Sequence, residues 1–269
     1  MPVAASIRHY LLAVQFFTRI PVTGPLADWV GFSPAMLRAS AAHFPGVGWI
    51  AGAVACAAYA AAAWLWGSGG FVPLAAAAAS TAATALLTGA FHEDGLADVA
   101  DGLGGSQDAA RALDIMKDSR IGAFGALALV LALACKLALL AVLGSHGLLP
   151  VLAAQAAGHV LSRFWPLLLI RSLPHVGDAA RSKSKPLADR IGNGALVAAA
   201  GWCLAPAALA AWLQGPVFLA ATLAASGAAV LYLRRLFARR LGGFTGDCLG
   251  AAQQVCEIAF YAGAAAALR

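Results

Sequence analysis

Seven apolar stretches, each close to the length that crosses a bilayer, leave this chain few choices of fold. They run Pro45–Trp66, Phe71–Phe91, Gly122–Leu143, Leu148–Ile170, Ile191–Leu213, Pro216–Leu233 and Leu249–Leu268. A hydrocarbon core of ~30 Å takes about 20 apolar residues as helix, because lipid offers no partner to an open backbone amide. Only 11% of the residues are charged and the mean hydropathy is +0.79, against about 25% charge in a soluble domain. The abundant Ala and Gly suit helices that pack closely in lipid. The expectation is an all-α fold: a polytopic integral membrane helical bundle of about seven transmembrane helices, residues 1–269 forming a single membrane-embedded domain. Ile7–Ile20 is too short and polar to span, and reads as an N-terminal interfacial or re-entrant helix.

Seven spans put alternate loops on opposite faces, and the charges sort accordingly. Of 18 Lys and Arg, 15 fall on the face holding the N-terminal 44 residues and the loops near 92–121, 171–190 and 234–248; 11 of 12 acids join them. The net charge of +6 therefore reads as positive-inside bias, with that face cytoplasmic, and no nucleic-acid partner is implied. Five cysteines form no C-x-x-C pair and read as reduced apolar residues. The N-terminus does not read as a signal peptide, since TRIPV stands where a cleavage site would lie.

The loop after the second stretch, FHEDGLADVADGLGG, places Asp94, Asp98 and Asp101 at i, i+4 and i+7. On a helix continuing from the second span they share one face, and like charges so spaced repel unless a cation intervenes. A hard cation such as Mg²⁺ takes oxygen ligands and is commonly shared with substrate phosphates, so these three are the expected metal ligands. His92 and Glu93 either join them or sit as helix-end residues. Lys117, Arg111 and Arg120 neutralise the acids if the loop is only a solvated surface. Arg181, Lys183 and Lys185, among small polar residues, suit a phosphate-gripping loop or anionic lipid head groups, and Arg234–Arg240 suit lipid head groups. Glycines around Thr245 let backbone approach a ligand, with Asp247 at a helix start as a cap or a ligand contact. Inside the spans, Lys136, His159, Arg163 and Glu257 must pair, and a Glu257–Arg163 pair is expected, with Lys136 a further partner. Read without a family, these features describe a metal-dependent membrane phosphotransferase, with a divalent-cation transporter as its rival.

FFTRIPV (16–22), HFPGVG (43–48), GAFHEDGLADVADGLGG (89–105), DIMKDSRIGAFG (114–125) and RRLGGFTGDCLGAA (239–252) together resemble the cobalamin synthase family, the adenosylcobinamide-GDP ribazoletransferases. The resemblance spans almost the whole chain. It implies a Mg²⁺-requiring enzyme that joins adenosylcobinamide-GDP to α-ribazole or its 5′-phosphate and releases GMP, at the cytoplasmic face of a bacterial inner membrane. It implies catalytic roles for Asp94, Asp98, Asp118 (ligand or base) and Arg120 (phosphate clamp). Substrate contacts would come from His92, Lys117, Ser119, Arg181, Lys183, Lys185, Thr245 and Asp247. Glu93 departs from the family's apolar residue there and is expected to face solvent. CDP-alcohol phosphotransferases use a similar acid logic, but their longer D-x-x-D-G-x-x-A-R pattern is not present. Oligomeric state is not legible.

Overall fold

The computed structural model describes residues 3–67, 69–176 and 191–268. Arg181, Lys183 and Lys185 lie outside the described residues. Among those described, all regular structure is helical: α1 (Val3–Phe17), α2 (Gly24–Val30), α3 (Pro34–Ser40), α4 (Phe44–Trp66), α5 (Val72–Thr88), α6 (Phe91–Gly105), α7 (Ala109–Ile115), α8 (Ala123–Ser145), α9 (Leu148–Leu161), α10 (Trp165–Ser172), α11 (Asn193–Gln214), α12 (Pro216–Arg240) and α13 (Gly246–Ala267).

Local chemistry sets these limits. Proline occupies the first turn of α2, α3, α4, α5, α10 and α12, where its missing N–H costs nothing. Ser33, Asp108 and Thr245 each cap a helix through a side-chain oxygen. The expected span Leu148–Ile170 is broken between Leu161 and Trp165, just ahead of Pro166, into α9 and α10.

The chain is a multi-pass helical membrane protein. Four runs among the described residues are long and apolar enough to cross a bilayer alone: Pro34–Trp66, Ala123–Ser145, Asn193–Gln214 and Pro216–Arg240. The pair α5 and α6 makes a fifth if taken as one bent span. The count of about seven is not reached by this measure, for two reasons. The fourth expected span is interrupted, and α13 carries Gln253, Gln254 and Glu257 in a buried position at the centre of the fold. In α8, by contrast, only 17% of the spanning window is buried in protein, as expected of a helix turned toward lipid. Trp64, Trp66, Phe71 and Trp212 are exposed at the far ends of α4, α5 and α11, in the manner of an interfacial aromatic belt.

The expected straight continuation of the second span into the acidic motif is corrected. Gly89 closes α5 in the left-handed region at φ +65°, the Ala90 N–H returns to the Ala85 carbonyl at 2.8 Å, and the chain turns through 90° into α6.

Among the buried charges, the expected Lys136 partner of Glu257 is found and the expected Glu257–Arg163 ion pair is not. Lys136 Nζ of α8 meets Glu257 Oε1 at 2.6 Å, and His159 Nδ1 lies 3.3 Å from Oε2. Gln253 and Tyr261 donate to the same carboxylate at 2.6 and 3.1 Å. Arg163 instead donates to the His159 carbonyl at 2.7 Å. Glu257 pairs with Lys136, and Arg163, though it lines the same small cavity, directs its guanidinium to the His159 carbonyl. Breaking a buried pair from one side strands a charge, at roughly 3–5 kcal/mol. Glu257→Gln should therefore lower unfolding stability in detergent by about that amount. Lys136→Met combined with Glu257→Gln should recover much of the loss.

Candidate active site

Two glycines bring the acidic helix against the start of α13. A Cβ on Gly95 would lie 2.8 Å from the Asp247 carbonyl oxygen and 3.1 Å from its Cα, closer than packed atoms tolerate. Opposite, Gly250 sits over the backbone of His92 and Gly95. Both helices meet at these missing side chains, and the approach places Asp247 beside Asp98.

The acidic helix is fixed at its other end too. Arg240 donates to the carbonyls of Leu103 and Ser106 at 2.9 and 2.7 Å, filling acceptors that the last turn of α6 leaves open. Arg240, assigned to lipid from sequence, caps a helix instead. Asp101 is buried, and its carboxylate accepts from the backbone N–H groups of Gly122 at 2.7 Å and Gly125 at 2.8 Å. It caps α8, where an anion is favoured. Any Cβ at Gly122 or Gly125 would overlap that carboxylate, which accounts for both glycines of the RIGAFG segment.

A cavity of about 530 Å³ opens beside this helix. Its walls include Asp94, Asp98 and Glu93 from α6, Arg19 and Thr18 from the end of α1, Gly89 at the bend, and Ser119 from the segment before α8. Of the residues expected from sequence, the structure gathers Asp94, Asp98 and Ser119 into this cavity, joined by Glu93, with Asp247 adjoining Asp98. The others are placed elsewhere. Asp101 has both oxygens on backbone amides. Asp118 and Arg120 form an exposed pair with a closest contact of 2.7 Å, and the guanidinium's hydrogen bonds hold the Asp118 carboxyl at about 2. Lys117 pairs with Asp114 at 3.5 Å on the surface. Thr245, rather than Asp247, is the N-cap of α13, accepting from the Cys248 N–H at 3.4 Å and donating to Asp247 Oδ2 at 3.3 Å.

His92 and Glu93 both lie in the first turn of α6, as helix-end residues, but in different surroundings. His92 is buried among the rings of Phe17, Phe44 and Phe91. It lines a second cavity of about 10 Å³ with Lys136, His159, Arg163 and Glu257, space for roughly one water. Glu93 does not simply face solvent: Oε1 accepts from Gln254 of α13 at 3.1 Å. Sequence reasoning passed over Arg19, although it stands within the FFTRIPV stretch. A cation ahead of a turn gives no sign of its destination until α1 docks on the bend.

Among the described residues, no group of three or more His, Cys, Asp or Glu side chains converges at metal-ligand spacing, so the three-aspartate set is not assembled as such. Asp94 and Asp98 nevertheless fit a hard divalent cation. They are oxygen donors one helical turn apart in a cavity, and Mg²⁺ needs few protein ligands when waters and phosphates complete its shell. The crowding that a cation would relieve is visible at Asp98. Its carboxyl is pushed up to about 7 by burial and by the neighbouring Asp247, Asp94 and Asp101.

That shift has a sign. Asp98 holds its proton more tightly folded than unfolded, so protonation stabilises the fold most below its ordinary value of 3.8, and this contribution is lost as pH rises to about 7. In metal-free protein, the stability of wild type relative to Asp98→Asn should therefore fall between about pH 4 and 7 and level off above. A flat difference across that range would remove the acid cluster from consideration. Gly95→Ala tests the helix contact. A displacement near 1 Å costs ~10²-fold in a positioned site, so turnover should fall by about that factor while the protein still inserts and folds.

Comparison with known proteins gives a consistent picture. The family model described as Cobalamin-5-phosphate synthase matches residues 9–265. A protein of Polaromonas naphthalenivorans (strain CJ2) named adenosylcobinamide-GDP ribazoletransferase is 61% identical, over 97% of this chain and 99% of that relative. Proteins of the same name from Leptothrix cholodnii (46% identical, 95% of this chain and 94% of the relative) and Vibrio cholerae O395 (41%, 96% and 95%) are similar along nearly their full lengths. No solved structure matches.

Proposed function

The chain belongs to the cobalamin-5-phosphate synthase family, and from that premise we propose that it is an adenosylcobinamide-GDP ribazoletransferase working at the cytoplasmic face of a bacterial inner membrane. The observation that carries the reading to particular residues is the cavity where Asp94 and Asp98 meet the Asp247 end of α13.

The reaction joins adenosylcobinamide-GDP to α-ribazole, or to its 5′-phosphate. A ribose hydroxyl oxygen forms a bond to the phosphorus attached to the cobinamide. The bond from that phosphorus to the bridging oxygen breaks, and GMP leaves with the electron pair. The hydroxyl proton passes to a carboxylate of the acid cluster.

Asp94 and Asp98 would hold Mg²⁺ in this cavity, with Asp247 close by. Bound there, the ion supplies charge neutralisation for a pyrophosphate group. The chain's own part is positional. The bend at Gly89 aims α6 across the interface, the Gly95–Gly250 contact fixes its distance from α13, and the caps at Arg240 and Asp101 hold its far end. Ser119 offers a hydroxyl to the phosphate-bearing substrate. Asp118 and Arg120 stand beside it, their exposed pair available to reopen toward a phosphate.

Purified protein in detergent, given Mg²⁺, adenosylcobinamide-GDP and α-ribazole, should release GMP and form adenosylcobalamin. Folded protein that yields neither would overturn the assignment. Asp94→Asn and Asp98→Asn should each lower turnover by at least about 10²-fold with insertion intact, in line with losing charge stabilisation at phosphorus.

A further inference from the structure

Arg19 is the one cation lining the 530 Å³ cavity among the described residues, whose other charged walls are Glu93, Asp94 and Asp98. In the structure, the neighbouring cations each have a partner of their own. Arg120 is held by Asp118, Lys117 by Asp114, Arg240 by the α6 carbonyls and Arg163 by the His159 carbonyl. The Arg19 side chain makes no hydrogen bond or ion pair to any described residue; its only bond is through the backbone.

That freedom is combined with tight placement. The Arg19 backbone N–H donates to the Leu87 carbonyl at 2.6 Å, tying the end of α1 to the last turn of α5. Thr18 shapes the turn, donating from Oγ1 to the Val14 carbonyl at 2.7 Å and accepting from the Ile20 N–H at 3.1 Å. The guanidinium then lies directly on Gly89, where any Cβ would overlap it. The next residue, Ala90, sits at φ +56°, a left-handed conformation that a non-glycine residue seldom adopts and that concentrates at functional sites.

An unpaired guanidinium resting on the helix bend, in one cavity with two carboxylates suited to a divalent cation, is complementary to a diphosphate ester. The planar fork matches phosphate oxygens two at a time, which a lysine ammonium does not do. Resting on the assignment above, we propose that Arg19 binds the pyrophosphate bridge of the nucleotide-activated substrate, gripping the phosphoryl group that departs with GMP. The acids and Arg19 then divide the bridge between them: the cation-binding pair serves the phosphorus under attack, and Arg19 serves the leaving side. Selectivity follows from this division, because α-ribazole carries no diphosphate and should not sense Arg19.

The test uses the full chain in detergent with two variants, Arg19→Gln and Arg19→Lys, read by steady-state kinetics, by binding and by unfolding. Arg19→Gln should raise the KM for adenosylcobinamide-GDP at least tenfold and lower kcat/KM for it by about 10²-fold, leaving the KM for α-ribazole within twofold. Arg19→Lys, which keeps the charge without the fork, should fall between the two. Equilibrium dialysis with GDP, which needs no turnover, should show binding weakened about tenfold in Arg19→Gln with the unfolding midpoint unchanged. Wild-type protein that forms no cobalamin would overturn the underlying assignment. Active wild type whose Arg19→Gln variant keeps both its KM for adenosylcobinamide-GDP and its GDP affinity would overturn the role of Arg19 alone. Equal losses for both substrates, or a lowered unfolding midpoint in both variants, would make the residue structural. Loss confined to binding of phosphatidylglycerol vesicles over phosphatidylcholine vesicles would make it a lipid contact, and would equally overturn the proposal.

Discussion

The approach of two backbones at Gly95 and Gly250 is the contact on which the rest of this architecture turns. A methyl group at Gly95 would meet the Asp247 carbonyl oxygen and Cα, so the acidic helix can reach α13 only because that side chain is missing. Once the helices touch, Asp247 is carried beside Asp98, and burial together with the neighbouring acids pushes the Asp98 carboxyl up to about 7. The site is thus a consequence of packing. Small residues are the usual means by which membrane helices come close, and here they serve charge placement as well as cohesion.

A polar relay behind the site ties the same two helices to the interior. Glu93 accepts from Gln254, Gln254 donates also to Gln253, and Gln253 donates to Glu257, which is paired with Lys136. Charged groups so deep in an apolar bundle persist only when each is answered by another. That requirement makes α13 polar where it is most buried, and places the α8 lysine among that helix's few buried residues. The small cavity next to His92 leaves room for little more than a water, so the cluster reads as a keystone that orients α6 rather than as a passage.

Much of this was open to inspection in the sequence, for reasons that can be named. Periodicity and hydropathy report composition along the chain, so they found α4, α8, α11 and α12. They failed where interactions across the fold decide: α9 and α10 break ahead of Pro166, and the polar residues of α13 have partners on other helices. The aspartates at 94, 98 and 101 were visible as a set with helical spacing. Their separate fates were not. Asp101 turned out to serve Gly122 and Gly125, residues 21 and 24 positions away, and helical spacing says nothing about a cap on another element. Arg19 was overlooked for the converse reason, since nothing near it in sequence shares its cavity.

By itself, the sequence determined that the chain is a helical membrane protein with its acids gathered between its longest apolar stretches, and its motifs determined the family. Both follow from local properties: transfer of side chains between water and lipid, and the identity of residues in a row. Only the tertiary structure decided which carboxylates face a cavity and which cap a helix. It alone set the 90° bend between α5 and α6 and the pairing of Glu257 with Lys136. Those outcomes depend on distances between residues remote in the chain, and those distances are fixed by backbone packing at a few glycines.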